Sequence, residues 1–226
     1  MINFQHENHL ARAIAIIDLL KDATRGMIPP ASDSIIEEFG REPFLVLISC
    51  ILSLRTKDTV SLPASRRLFL LAKTPELMLN VPLSVIQEAV YPVGFYRNKA
   101  ITIHKICMML IEKHESRVPD TQEGLLALPG VGRKTMNLVL SQGFEKPGLC
   151  VDTHVHRISN RLGLVSTNTP EETEIALKQL LPPALWNDYA RCMVMCGQNR
   201  CLPVLPWCSR CPLQSVCPRI MVKKTR

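Results

Sequence analysis

The chain has 226 residues, 46% hydrophobic and 21% charged, which is long enough to bury a core without disulfide staples and excludes disordered, low-complexity and collagen-like chains. The formal net charge of +7 lies entirely after residue 190: Arg191, Arg200, Arg210, Arg219, Lys223, Lys224 and Arg226 are accompanied by no Asp or Glu, while the first 190 residues balance at 20 basic against 20 acidic. A basic end of this kind suits a polyanionic partner, although a solvated tail has the same composition.

The opening run MINFQHENHLARA has neither a secretory nor a transit pattern, so a reducing compartment is expected. Leu10, Ala13, Ile14, Ile17 and Leu20 recur at intervals of three and four, with Arg12, Asp18 and Lys21 between them, which predicts an amphipathic helix. Ser34 with Glu37, Asp120 with Glu123 and Thr169 with Glu172 are spaced as N-caps and their third-position partners; Pro75 and Pro170 follow Thr74 and Thr169 as first-turn prolines. The longest nearly unbroken apolar stretch, Phe44 to Leu54, is roughly half of what a bilayer requires, so no membrane association is expected. No segment alternates with a period of two between hairpin turns, and there is no internal repeat or low-complexity linker. The chain reads as all-α.

The segment LLALPGVGRKTMNLVL, residues 125–140, carries the most specific local pattern. An apolar helix end meets Pro129; Gly130 and Gly132 supply freedom for a tight turn; Arg133 opens a second helix whose apolar face includes Met136, Val139 and Leu140. This is a helix-hairpin-helix pattern, in which glycines let a ligand approach the backbone and the amides of the second helix suit a phosphate oxygen. An ordinary pair of packed helices has the same glycines, but Lys134 adds an amine where such a hairpin would hold a DNA backbone. Eighteen residues later, in VDTHVHR, Asp152 follows Val151 and opens a helical run, as an N-cap or as a functional carboxylate. His154 and His156, and His104 and His114, are not spaced to share one helix face and read as core or surface residues.

The nine cysteines are of two kinds. Cys50, Cys107, Cys150, Cys192 and Cys196 sit in apolar or helical runs and read as small buried hydrophobes. Cys201, Cys208, Cys211 and Cys217 form C-x6-C-x2-C-x5-C among Pro203, Pro206, Pro212 and Pro218, too many prolines for a regular helix. Four thiolates on a short ribbon suit a metal site in a reducing compartment. Zinc and an iron-sulfur cluster both accept four sulfurs, and the single close C-x2-C pair leans toward a cluster.

LPGVGRKT, VDTHVHR and the four-cysteine spacing, together and in this order, resemble the endonuclease III family of DNA glycosylases; LSLRTKD (residues 52–58) and VGFYRNKA (residues 93–100) extend the resemblance over about residues 33–217. The resemblance implies a six-helix domain containing the hairpin, residues 36–146, and an iron-sulfur cluster helical domain from residues 1–35 and 147–226, with a DNA cleft between them. It implies Lys134 as the catalytic amine, Asp152 as its carboxylate partner, and Cys201, Cys208, Cys211 and Cys217 as ligands of a 4Fe-4S cluster. DNA contacts are expected from Arg55, Phe95, Gly130, Gly132 and Arg133. Two positions depart from the family: Arg55 stands where relatives often carry glutamine, and Phe95 where they often carry leucine. A third departure is the loop LPVLPW, residues 202–207, which has no basic residue, although Arg200 and Arg210 flank it.

The implied activity is excision of oxidised pyrimidines from duplex DNA followed by β-elimination at the abasic site. A carboxylate stabilises the cationic sugar as the base departs, and a neutral amine forms a Schiff base that acts as an electron sink. The buried base must first be flipped out and its vacancy filled by a wedge. A glycosylase for another damaged or mismatched base, and a non-catalytic iron-sulfur DNA-binding or redox-sensing protein, stand as alternatives. Damaged double-stranded DNA is the expected partner of a monomer in the cytoplasm, at the nucleoid. The C-terminal KKTR is expected to be a solvated tail.

Overall fold

The computed structural model describes residues 4–27 and 30–226, and among these there are helices, turns and loops but no strand. Two compact units emerge, Pro30–Lys146 and a discontinuous one from Met1–Pro29 with Pro147–Arg226. The chain starts in the discontinuous unit with α1 (Phe4–Ala23) and then enters the contiguous one. There it forms α2 (Ala31–Phe39), α3 (Pro43–Ser53), α4 (Asp58–Leu71), α5 (Pro75–Asn80), α6 (Leu83–Val90), α7 (Tyr96–His114), α8 (Gln122–Ala127) and α9 (Arg133–Leu138). A π-helical turn, Val139–Gly143, continues α9. The chain returns to the first unit with α10 (Thr153–Arg161), α11 (Pro170–Leu180) and α12 (Trp186–Asn199). Residue 36, at which the sequence reading divides the chain, falls inside α2, and the neighbouring Ile35 is fully buried in the contiguous unit's core.

In the contiguous unit the apolar stretch of the sequence becomes α3, started by Pro43 at its first turn. Residues 44–52 are all buried, so this helix is apolar on every side and forms the centre of the unit, with α2, α4, α7, α9 and the π-helical turn packed around it. α7 turns one stripe inward: Lys99, Ala100, Ile103, Ile106, Cys107 and Leu110.

In the discontinuous unit α1 packs on α11 and α12 through Ala13, Ile16, Ile17 and Leu20. The buried stripe runs through Ile16 rather than the expected Ile14, which is 39% exposed, because a 3.6-residue period starting at Ala13 brings 16 and 17 to the same face. Tyr189 of α12 is fully buried and its hydroxyl shares a 2.8 Å hydrogen bond with Ser159 of α10. After Cys201 the prolines permit only one 3-10 turn, Cys208–Arg210.

The caps follow the sequence at Thr74 and Thr169, whose side chains accept from the amides of Leu77 and Glu172 at 3.3 and 3.2 Å. They shift elsewhere. Thr121, not Asp120, caps α8 by accepting from Gly124 N, and Asp120 is taken instead by the Lys146 ammonium at 2.6 Å. Ser34 lies inside α2, which starts just after Pro30. Among the described residues no helix is long and apolar enough to cross a membrane. The central position of α3 has a measurable consequence: Ile48→Ala, at a fully buried site, lowers the unfolding free energy by about 2–5 kcal/mol, whereas Leu70→Ala, at a site 78% exposed, changes it by less than about 0.5 kcal/mol, both read from denaturant melts.

Candidate functional site

The hairpin turn is built from apolar anchors on both sides. Leu125, Leu128 and Val131 are buried, and Val131 N donates to Leu128 O at 3.2 Å across the turn. Gly130 adopts φ 74°, and a Cβ there would stand 3.0 Å from Thr102 Cγ2, so both conformation and space require glycine. Gly132 differs from the expectation: its backbone is extended, at φ −103°, and nothing lies within 4 Å of an added Cβ. Its lack of a side chain leaves the backbone approachable from outside rather than making the turn possible. Gly132 caps α9, Arg133 and Lys134 are its first two residues and both are exposed, while Met136, Val139 and Leu140 fasten the other face to the core.

Asp152 is both a cap and a positioned carboxylate. Its Oδ1 accepts from His154 N at 2.8 Å and Val155 N at 2.9 Å, which fixes the side chain at the start of α10, half-buried beside buried Val151. The histidines have structural partners: His156 Nδ1 bonds Thr173 Oγ1 at 2.7 Å, His154 Nδ1 lies 3.1 Å from Arg157 Nη2, and His104 Nε2 lies 3.2 Å from Val81 O.

Arg55 and Phe95 occupy two turns of the contiguous unit, after α3 and before α7, and both are exposed in the left-handed region at φ 52° and 58°. Bulky residues rarely adopt this conformation. The turns are joined. Gly94 N donates to Thr56 Oγ1 at 3.2 Å, and a Cβ on Gly94 would press to 3.2 Å from Arg55 O. The buried Lys99 Nζ donates to Leu52 O at 2.8 Å, Leu54 O at 2.6 Å and Thr56 Oγ1 at 3.1 Å. Burial pushes the Lys99 amine down to about 8, still an ammonium at neutral pH with three protons for three acceptors. Sequence reasoning missed Lys99; the available signal was a lysine on the apolar stripe of α7.

Cys201, Cys208, Cys211 and Cys217 line one cavity, with Arg161 and Trp207 among its walls. Arg161 Nη1 donates to Cys201 Sγ at 3.2 Å and to Leu202 O at 2.8 Å, and its Nη2 donates to Pro203 O at 2.8 Å. The guanidinium therefore places positive charge against the Cys201 sulfur and ties the ribbon to α10. Arg157 adds a 2.7 Å hydrogen bond to Cys201 O. The other five cysteines are buried, but Cys196 does more than fill space: its hydrogen bond to Cys211 pulls the Cys211 thiol down and, with burial, pushes its own up. Among the described residues no three His, Cys, Asp or Glu side chains converge as a site for one metal ion.

The C-terminal basic residues are partly committed within the fold. Arg226 N donates to Pro206 O at 2.9 Å, its carbonyl accepts from Ser209 N, and its guanidinium lies 4.9 Å from the centre of the Trp207 ring. Arg210 lies 5.3 Å from that ring centre, and Arg200 donates to the Arg210 carbonyl. The end of the expected solvated tail is thus anchored through Trp207, while Lys223 and Lys224 are exposed.

Residues 48–183 match the family described as HhH-GPD superfamily base excision DNA repair protein. The chain is 48% identical over 196 residues to endonuclease III of Thermotoga maritima, covering 84% of this chain and 92% of that protein. Among solved structures, a non-covalent endonuclease III-DNA complex is similar with a TM-score of 0.80 and 33% identity over 97% of each chain. A trapped endonuclease III-DNA covalent intermediate is similar with a TM-score of 0.74 and 36% identity, covering 84% of this chain and 93% of that one. The fold, the hairpin and the extent of identity agree with the resemblance carried by the motifs: the chain belongs to the endonuclease III family of the HhH-GPD superfamily of base excision DNA repair proteins.

Proposed function

We propose that this base-excision repair glycosylase and abasic-site lyase removes oxidised pyrimidines from duplex DNA, with Lys134 as the nucleophile and Asp152 as the carboxylate that assists it. The observation that carries the reading is Lys134 itself, an exposed amine at the second position of α9, directly after a turn in which Gly130 takes a left-handed conformation that favours glycine. A relative trapped as a covalent DNA intermediate needs a nucleophile, and an amine at this position supplies one.

The amine of Lys134 adds to the anomeric carbon as the glycosidic bond breaks; the bond's electron pair leaves with the base, which takes up the proton that the attacking nitrogen gives up. The Asp152 carboxylate stabilises positive charge developing on the sugar, and the two amides bonded to its Oδ1 hold it in one orientation. Opening of the sugar ring leaves an iminium on Lys134. Loss of a C2′ proton then sends an electron pair toward the iminium, the 3′-phosphate departs, and water releases the amine. Gly130, Gly132 and Arg133 hold the DNA backbone, since the open side of Gly132 lets a phosphate reach the amides of the turn. Phe95, 63% exposed on a left-handed turn, fills the vacancy of the extruded base, and Arg55 donates hydrogen bonds to the base left opposite.

Cys201, Cys208, Cys211 and Cys217 hold a 4Fe-4S cluster. Four thiol donors around one cavity, with a single close C-x2-C pair among them, suit a polynuclear centre better than one zinc ion, and Arg161 offsets thiolate charge. The cluster would cross-link a ribbon that has little secondary structure of its own.

Asn caps a helix as well as Asp does, so Asp152→Asn removes the charge while keeping α10. On a duplex with one ring-oxidised thymine, Asp152→Asn slows single-turnover excision by about 100- to 1,000-fold, and Lys134→Ala slows it by about a thousandfold or more while retaining DNA binding. Wild-type rates in either variant contradict the assigned roles. A panel of lesions and mismatches tests the substrate: faster excision of a non-pyrimidine base would assign Arg55 and Phe95 to another lesion. For the ribbon, elemental and sulfide analysis gives about four iron and four sulfide per chain, both lost in Cys208→Ser; zinc without sulfide contradicts the cluster.

A further inference from the structure

Arg55 and Phe95 are far apart in sequence, exposed, and held in a backbone conformation that costs energy for each. Two such residues keep their geometry only if the surroundings over-determine it. The turn after α3 has three converging acceptors: Leu52 O, which is buried and out of reach of water, and Leu54 O and Thr56 Oγ1, which lie at the partly exposed edge of the turn. Lys99 enters from the first turn of α7, four residues after Phe95, and its ammonium bonds all three. Thr56 Oγ1, one of these acceptors, also accepts from Gly94 N, the residue before Phe95. The network therefore starts at the residues on either side of Arg55 and ends beside Phe95.

We infer that Lys99 is a positioning residue that locks Arg55 and Phe95 into one rigid two-pronged element, so that base extrusion and reading of the opposite base depend on an ammonium that itself touches no DNA. This rests on the reading in which Arg55 and Phe95 enter the duplex. The chemistry of lysine is specific here. Three donors on a tetrahedral nitrogen meet three acceptors from different directions, a pattern that the planar guanidinium of arginine does not reproduce and a methionine of similar length leaves wholly unmet.

The test compares Lys99→Met, Thr56→Val, the pair Arg55→Ala with Phe95→Ala, and the triple variant containing that pair and Lys99→Met, each carrying its iron. Single-turnover excision is measured with saturating enzyme on a duplex holding one oxidised pyrimidine. A 2-aminopurine beside the lesion reports extrusion by its fluorescence. Lys99→Met is expected to slow excision by about 10- to 100-fold through displacement of the two prongs and to lose the fluorescence rise, with half-saturation changed less than about threefold. The triple variant is expected to be no slower than the slower of its parents. Thr56→Val, which leaves the buried amine in place, gives the same signature with smaller amplitude and carries the test if Lys99→Met does not fold. A folded Lys99→Met, or in its absence Thr56→Val, with the wild-type rate and fluorescence rise overturns the inference, as does multiplication of the losses in the triple variant. Wild-type behaviour of the Arg55→Ala, Phe95→Ala pair would instead overturn the reading that these residues enter the duplex, and the inference with it.

Discussion

A carbonyl on a buried helix turn must find a donor within the protein, and α3, with residues 44–52 all buried, places Leu52 O in that position. Its central place lets α2, α4, α7 and α9 pack around one rod, and that packing holds α9 with Lys134 near its start. Near its C-terminal end Cys50 O, Ile51 O and Ser53 O find local donors, and the buried Leu52 O is met by the Lys99 ammonium from α7. The hydrophobic requirement that organises the contiguous unit thus also dictates where a charged side chain must sit within it.

The discontinuous unit solves a different problem. Its C-terminal ribbon has too many prolines for a helix and buries only Pro206 and Leu213, so much of its order comes from side chains reaching across to it. Arg157 and Arg161 project from α10, the helix that Asp152 caps, and bind the ribbon at Cys201, Leu202 and Pro203. Trp207 collects Arg210 and Arg226 and so fastens the end of the chain. One short helix carries a fixed carboxylate at its start and the anchors of the cysteine ribbon near its end.

What was legible in the sequence was local. The hairpin glycines, Lys134, Asp152 and the four clustered cysteines are motifs of a few residues whose spacing carries their meaning, and the all-α class follows from periodicity. What was not legible depends on partners distant in sequence. Lys99 falls on the apolar stripe of α7, but its acceptors lie more than forty residues away, so nothing beside it in the chain announces the bonds it makes. Cys196 reads as one more small apolar residue until the fold brings Cys211 to it. The two glycines of the hairpin look equivalent, yet only the φ of Gly130 and the nearby Thr102 methyl separate a turn-former from an open approach. The choice of Thr121 over Asp120 as a cap turns on Lys146, which competes for the carboxylate.

The account stands on one covalent bond, and locating that bond is its most direct test. Purified protein carrying its iron is incubated with a duplex containing one abasic site in the presence of borohydride, and the reduced adduct is digested and mapped by mass spectrometry. The account predicts a DNA remnant on the peptide that contains Lys134 and on no other. An adduct at a different amine, or none from protein that demonstrably binds the duplex, would contradict it.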